Sequence, residues 1–247
     1  MKVVRVPPET TVSPVHRSGT IWGKPTRVRA QIVRRVCEPL QKEYGRPRLG
    51  NPEGPLDDLV YIIVSNKTSP KTAQRTYALV KRSFATWGEV LDSPATALES
   101  LLHPAGLAIV KSQQIRAALQ MIEDDFGSCD LDRLRRRPES EAQGYLVSLA
   151  GVSEKVAKCV MMFTMGGRVL PVDSHVHRVS RRLGWTARKR ADQCHAELEA
   201  LVPPHRRYAF HVDCILHGRS VCRPRSPACE RCCIRRHCAF HLGESVE

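Results

Sequence analysis

Two side chains with the means to do covalent chemistry stand eighteen positions apart, Lys155 and Asp173. Lys155 closes the stretch Leu149-Ala150-Gly151-Val152-Ser153-Glu154-Lys155, and Asp173 follows Arg168-Val169-Leu170-Pro171-Val172. A small-residue turn that delivers an amine to the start of a helix suits attack on an electrophilic carbon, with a carboxylate nearby to manage charge. The positive end of the helix dipole disfavours an ammonium there and leaves more neutral amine, although Glu154 opposes that effect. Each residue also has an ordinary explanation. A lysine in a first helical turn is commonly a solvated charge, and an aspartate before a helix is commonly an N-cap. Capping and catalysis are compatible, since a capping carboxylate is held rigidly. His175 and His177 lie within the first turn behind Asp173 and receive no chemical role.

The elements around these residues sharpen the reading. Gly151 between two helical stretches gives a helix-hairpin-helix pattern, with glycine supplying a left-handed or closely packed position. Free amides of the turn and of the next helix can hold a phosphate. On the turn alone, a plain αα-turn closed by a capping glycine explains the sequence equally well. The most specific local signal lies near the C-terminus, where Cys222, Cys229, Cys232 and Cys238 are spaced C-x6-C-x2-C-x5-C. Four thiolates at such spacing suit an iron–sulfur cluster. Zinc competes, although zinc ribbons pair two C-x2-C knuckles and this loop holds one. The remaining cysteines, Cys37, Cys129, Cys159, Cys194 and Cys214, are scattered and read as small buried apolar residues; Cys233 only blurs the register.

The 247 residues suffice for one large domain or two modest ones. Lysine and arginine number 39 against 25 acids, a formal charge of +14 that favours a polyanionic partner. The charge is spread through amphipathic helices and not gathered in one block. No run of about 18 apolar residues predicts a membrane span, and the N-terminus has no apolar signal core. Metal-type cysteine spacing points to a reducing compartment. The expected location is cytoplasmic and nucleoid-associated in a bacterium. Nuclear or mitochondrial locations stay open, because Glu9 is the one acid among residues 1–24.

Residues 1–24 carry three prolines and little periodicity and read as a flexible basic extension. Helices are expected over Thr26 to Tyr44, with Val28, Ile32, Val36 and Leu40 on one face, and over Pro55 to Ser65, apolar on most sides. Ser69-Pro70 and Ser93-Pro94 each read as an N-cap followed by proline at the first helical position. Ile115, Leu119, Ile122 and Phe126 mark a helix ended by Gly127. Further helices are expected from Glu139 to Leu149, Glu154 to Met165, Asp173 through Leu183, Thr186 through Leu198, and about His205 to Gly218. With no strand pattern, the fold class is all-α.

Together, Leu-Ala-Gly-Val-Ser-Glu-Lys, Val172-Asp173-Ser174-His175, Leu216-His217-Gly218-Arg219 and the cysteine loop resemble the endonuclease III family of DNA glycosylases, in the helix-hairpin-helix superfamily. The resemblance runs from about residue 56 to Cys238. It implies two helical domains with a DNA cleft between them: a six-helix barrel over 56–167 bearing the hairpin, and a discontinuous 4Fe–4S cluster domain over 25–55 and 168–247. Lys155 matches the Schiff-base lysine, Asp173 the essential aspartate, and Cys222, Cys229, Cys232 and Cys238 the cluster ligands. Leu107 matches the residue that wedges into the duplex. Gly151, Ser153, Lys67 and Arg219 fall in DNA-contacting segments.

The implied activity is a bifunctional glycosylase and AP lyase that removes damaged, oxidised pyrimidines from double-stranded DNA, as a monomer. Rival readings are a uracil or thymine-mismatch enzyme, one confined to abasic sites, a damage-binding paralogue with weak catalysis, and a zinc-stabilised DNA-binding module. The chain departs from the family pattern in four places. Ser153 replaces a second hairpin glycine, and Glu154 stands where a basic residue is usual. Lys67 occupies the segment that fills the gap left by a flipped base, and Val147 replaces a glutamate. Weakened DNA binding at Glu154 and altered lesion choice at Lys67 are the expected consequences.

Overall fold

The computed structural model describes residues 21–45 and 47–243. Among the described residues there is no strand; α-helices and short 3-10 turns make the whole architecture. In chain order the helices are α1 (Thr26–Tyr44), α2 (Pro55–Ser65), α3 (Pro70–Ser83), α4 (Trp87–Asp92), α5 (Ala95–Leu102) and α6 (Ala108–Phe126). They continue with α7 (Glu139–Ser148), α8 (Glu154–Thr164), α9 (Ser174–Arg182), α10 (His195–Leu201), α11 (Arg207–Ser220) and α12 (Ala239–Leu242). The chain divides into two compact units, one over Gly50–Gly167 and one joining Met1–Leu49 to Arg168–Glu247. The expected extension up to residue 20 lies outside the described residues.

In the continuous unit α2 is the central element, packed against α3, α6 and α8. Leu59, Val60, Ile62, Ile63 and Val64 are all buried, as the density of apolar residues on every face requires. Its neighbour α3 starts as its sequence dictates. Ser69 accepts a hydrogen bond from the Thr72 amide at 3.2 Å, with Pro70 at the first helical position. The Ser93-Pro94 pair differs, because the Ser93 hydroxyl turns back to the Val90 carbonyl (2.8 Å) and caps nothing. The helix preceding it, α4, lies outside the sequence expectations. It is opened by a capping box, in which Thr86 accepts from the Glu89 amide (3.3 Å) and Glu89 from the Ala85 amide (2.8 Å).

In the discontinuous unit a 3-10 turn, Ile21–Gly23, precedes α1 with Ile21 and Trp22 buried, so the last residues of the expected flexible extension are packed. The Trp22 indole donates to the Trp185 carbonyl (2.9 Å), and Trp185 stacks on Phe210 with centroids 5.3 Å apart. The buried face of α1 is Val33, Val36, Cys37 and Leu40, rotated from the expected stripe, so Val28 is exposed. Thr186 does not start a helix. Its hydroxyl is held by Glu197 (2.8 Å) and accepts from the Arg188 amide (3.1 Å), which keeps residues 186–190 irregular before α10. His205 lies in a 3-10 turn ahead of α11, which extends past Gly218 to Ser220. Its buried face carries His211, Asp213 and His217 as well as the expected Val212 and Ile215. The two histidines have partners inside, the Pro171 carbonyl for the His211 ring (2.9 Å) and the Tyr44 hydroxyl for His217 (2.9 Å), whereas Oδ1 of Asp213 is buried without a hydrogen-bond partner.

Candidate active site

The hairpin is built from α7, five connecting residues and α8. Gly151 has φ +75°, and a Cβ there would lie 2.7 Å from Cγ and Cδ of Gln114, so both conformation and space call for glycine. The Val152 amide closes the turn on the Leu149 carbonyl at 3.1 Å. Ser153 is extended (φ −82°, ψ 165°), a conformation open to any residue, and its hydroxyl accepts from the Val156 amide at 3.4 Å. Serine therefore caps α8 in place of a second glycine. Gly151 and Ser153 are exposed, which presents the N-terminal end of α8 to solvent as an anion-binding edge.

Lys155 is the second residue of α8 and half-buried. Glu154 ahead of it forms an ion pair with Lys158, 2.9 Å away and 3% exposed. The acid that would repel a phosphate is thus turned to a lysine of its own helix, at the i,i+4 spacing visible in the sequence. A second acid enters from α2. Asp58 is fully buried; its Oδ1 accepts from the Asn51 amide group at 2.6 Å, and its Oδ2 has no hydrogen-bond partner. Burial pushes its pKa from 3.8 up to about 7, opposed by the Asn51 bond and by the charge of Lys155. Its neighbour Asp57 faces elsewhere, toward the Tyr77 hydroxyl (2.8 Å) and Lys81 (3.1 Å). Sequence reasoning missed Asp58, although an acidic pair inside so apolar a helix was its signal.

Two exposed residues of the same unit hold left-handed backbone despite their side chains, Lys67 with φ 54° and Leu107 with φ 53°. Leu107 is 52% exposed beside the exposed Ile109 and Val110. Val147 is also exposed, on α7.

Asp173 belongs to the other unit and is the N-cap of α9. Its Oδ1 accepts from the amides of His175 (2.9 Å) and Val176 (2.8 Å), and Oδ2 takes part in neither bond. The adjoining Leu216-His217-Gly218-Arg219 motif is a packing device as well as a candidate contact. A Cβ on Gly218 would fall 2.5 Å from Nδ1 of His175, so glycine is what lets α9 and α11 approach. Arg178 ties the junction by donating to the carbonyls of Gly218 (2.9 Å) and Cys222 (2.8 Å). Burial pushes the pKa of His217 down to about 4, assisted by Arg178. The neutral ring meets the Tyr44 hydroxyl through Nδ1 (2.9 Å) and the Cys232 sulfur through Nε2 (3.4 Å). Arg219 is exposed.

Cys222, Cys229, Cys232 and Cys238 line one cavity, rimmed also by Arg182 and Phe240; the exposed Cys233 is not part of that lining. Among the described residues no group of three His, Cys, Asp or Glu converges as a single metal ion would require. Four cysteines lining one cavity are the residues present that could hold a metal group. Burial raises the pKa of Cys232 to about 12; it also pushes the Cys238 thiol up, and neighbouring cysteines add to both effects. Thiols raised in this way ionise readily beside positive charge, which a bound metal group would supply. Arg182 braces the loop, donating to the Cys222 sulfur (3.2 Å) and to the Arg223 (2.9 Å) and Pro224 (3.1 Å) carbonyls. Arg223, Arg225, Arg231 and Arg236 remain exposed around it. Of the other cysteines, Cys37, Cys159, Cys194 and Cys214 are buried as expected, whereas Cys129 is only half-buried.

A family model of HhH-GPD superfamily base excision DNA repair proteins matches residues 60–204, more than half of the chain. The chain belongs to this superfamily. As an HhH-GPD protein it is 32% identical over 171 residues to an Arabidopsis thaliana protein named for DNA glycosylase activity, across 68% of this chain and 57% of that protein's length. It is 26% identical over 195 residues to endonuclease III of Thermotoga maritima, covering 79% and 87% of the two chains. Its fold matches that of an endonuclease III trapped in a covalent DNA intermediate, with a TM-score of 0.76 and 22% identity over 87% and 97% of the chains. A thermostable thymine-DNA glycosylase matches with a TM-score of 0.73 at 19% identity. In this HhH-GPD chain the matched segment contains the hairpin, Lys155 and Asp173; the cysteine loop lies beyond it.

Proposed function

We propose that this chain is a DNA glycosylase with AP-lyase activity that removes damaged, oxidised pyrimidines from double-stranded DNA and acts as a monomer. The observation that carries the reading is Lys155, set in the first turn of the hairpin helix behind a glycine turn whose exposed edge suits a phosphate. A base must leave the stack before its glycosidic bond can be reached. The Lys155 amine then attacks the sugar C1′ while the base departs with the bonding electrons and takes up a proton. The C1′–O4′ bond of the resulting aminal then breaks, O4′ taking the proton that the nitrogen gives up, which leaves an open-chain Schiff base. Loss of the C2′ proton expels the 3′ phosphate by β-elimination, and water releases Lys155. Asp173, with Oδ2 outside its capping bonds, is the carboxylate assigned to stabilise positive charge on the sugar. The endonuclease III names among the relatives and the trapped covalent intermediate among the structural neighbours support this chemistry.

Cys222, Cys229, Cys232 and Cys238 are the residues we assign to a 4Fe–4S cluster, on the strength of their spacing, their shared cavity and their crowded thiols. When bound, the cluster would hold the loop folded by iron–thiolate bonds. The exposed arginines of the loop would then meet DNA phosphates. Borohydride trapping on a duplex with one abasic site tests the reading. Wild type should form a covalent adduct, and Lys155→Ala should bind the duplex without forming one. An adduct retained by Lys155→Ala would overturn the lysine assignment. Tight binding by a wild type that forms no adduct would point to a monofunctional glycosylase or a catalytically silent damage-binding protein.

A further inference from the structure

Lys111 is an unusual residue to find inside this unit. It lies in the first turn of α6 with 2% of its surface exposed, and its ammonium group meets three neutral acceptors. These are the carbonyl of Val64 at 2.8 Å, the hydroxyl of Thr68 at 2.8 Å and the carbonyl of Ala105 at 2.9 Å. Three N–H donors and three acceptors leave none unmatched. Val64 is in the last turn of α2, where the negative end of the helix dipole favours a cation. Even so, a buried ammonium with no carboxylate beside it is expensive, and an apolar side chain of similar length would fill the space without that penalty. Packing alone does not explain a lysine here.

Its three contacts join two separate loops. The Thr68 hydroxyl also donates to the Ala105 carbonyl at 2.7 Å, which closes a triangle among Lys111, Thr68 and Ala105. Lys67 immediately precedes Thr68, and Leu107 follows Ala105 by two residues. Among the described residues, three that are not glycine have positive φ, and Lys67 and Leu107 are two of them. Left-handed backbone is unfavourable for such residues and persists only where the surroundings impose it. Here the surroundings are the triangle. It ties together the two segments that carry these exposed side chains, which the family resemblance assigns to the duplex.

We propose that Lys111 is a positioning residue that sets Lys67 and Leu107 as one rigid pair for opening duplex DNA. The proposal rests on the glycosylase and lyase reading, and it assigns to Lys111 a part in base extrusion with none in bond-making. The pair matters when a nucleotide must be drawn from a closed helix, and much less when that nucleotide is already unpaired. Single-turnover borohydride trapping separates the two cases. One substrate is a duplex with a single abasic site, and the other carries the same site in an unpaired bubble.

Lys111→Met, which keeps the length and removes the donors, should slow trapping on the closed duplex at least about tenfold relative to the bubble, the scale of loss that a misplaced positioning group produces. Thr68→Val removes one corner of the triangle and should shift the same ratio by less. Far-UV circular dichroism and thermal unfolding show whether each variant is folded; if Lys111→Met is insoluble, the ratio for Thr68→Val decides. An unchanged ratio, including an equal loss on both substrates, overturns the proposal while leaving the glycosylase reading intact. A wild type that traps neither substrate refutes the lysine-lyase reading and takes this inference with it.

Discussion

Replacing Asp58 with asparagine removes a carboxyl that the fold holds in an unfavourable place. The side chain is fully buried, Oδ2 has no hydrogen-bond partner, and the pKa is raised from 3.8 to about 7 by burial. Between those two values the folded protein keeps a proton that the unfolded chain has lost. Stability therefore falls as the pH rises through this window and levels off above about 7. At about 1.4 kcal/mol per pH unit, the ceiling on the loss is roughly 4 kcal/mol. Asparagine preserves the size of the side chain and the oxygen that accepts from Asn51, but it cannot ionise. Urea unfolding of both proteins at about pH 4.5 and about pH 8 reads the difference. Asp58→Asn should gain on wild type by roughly 3 kcal/mol between the two conditions. The comparison cancels other groups that titrate in the same pH window, such as Asp213, raised to about 6 by burial. The same difference at both pH values would refute a buried, protonated Asp58.

The same substitution bears on the chemistry. Above about pH 7 an ionised Asp58 favours the ammonium form of Lys155 and opposes nucleophilic attack. The trapping rate of Asp58→Asn should then exceed that of wild type near pH 8 and match it near pH 6. A variant slower at both values would contradict this reasoning and mark Asp58 as a proton acceptor.

Asp173→Asn keeps a side chain able to cap α9, so stability should change little while single-turnover base excision drops by about 100-fold or more; an unchanged rate would reject the role given to Asp173. Gly151→Ala forces a left-handed alanine and a Cβ into Gln114, which should cost about 1–2 kcal/mol in urea unfolding and weaken duplex binding. Equal stability and affinity would mean that the turn relaxes freely. Cys229→Ser should yield protein without iron or visible absorbance and with a lowered melting temperature, and a soluble variant with full iron content would remove Cys229 from the ligand set.

What the sequence discloses and what it hides follow from the range of the interactions involved. The bounds of α1 and α2 are legible because each is set locally, by Gly45 or Pro55 flanking a periodic apolar run. The cap at Ser69 is legible for the same reason, and the box at Thr86 and Glu89 is equally local. Lys155, Asp173 and the four spaced cysteines are visible as residue types in a pattern. Their surroundings are not. Asp57 and Asp58 are neighbours in sequence, yet one faces Tyr77 and Lys81 while the other is buried under the charge of Lys155. Adjacent helical residues point about 100° apart, and only packing decides which is enclosed. The left-handed turns at Lys67 and Leu107 run against local preference, so no local signal could announce them. They are imposed by contacts between residues 37 to 47 positions apart, from Thr68 to Ala105 and from Lys111 to Thr68 and Val64. The reacting groups of this protein can be named from its sequence, whereas the groups that hold them ready are found only where distant segments meet.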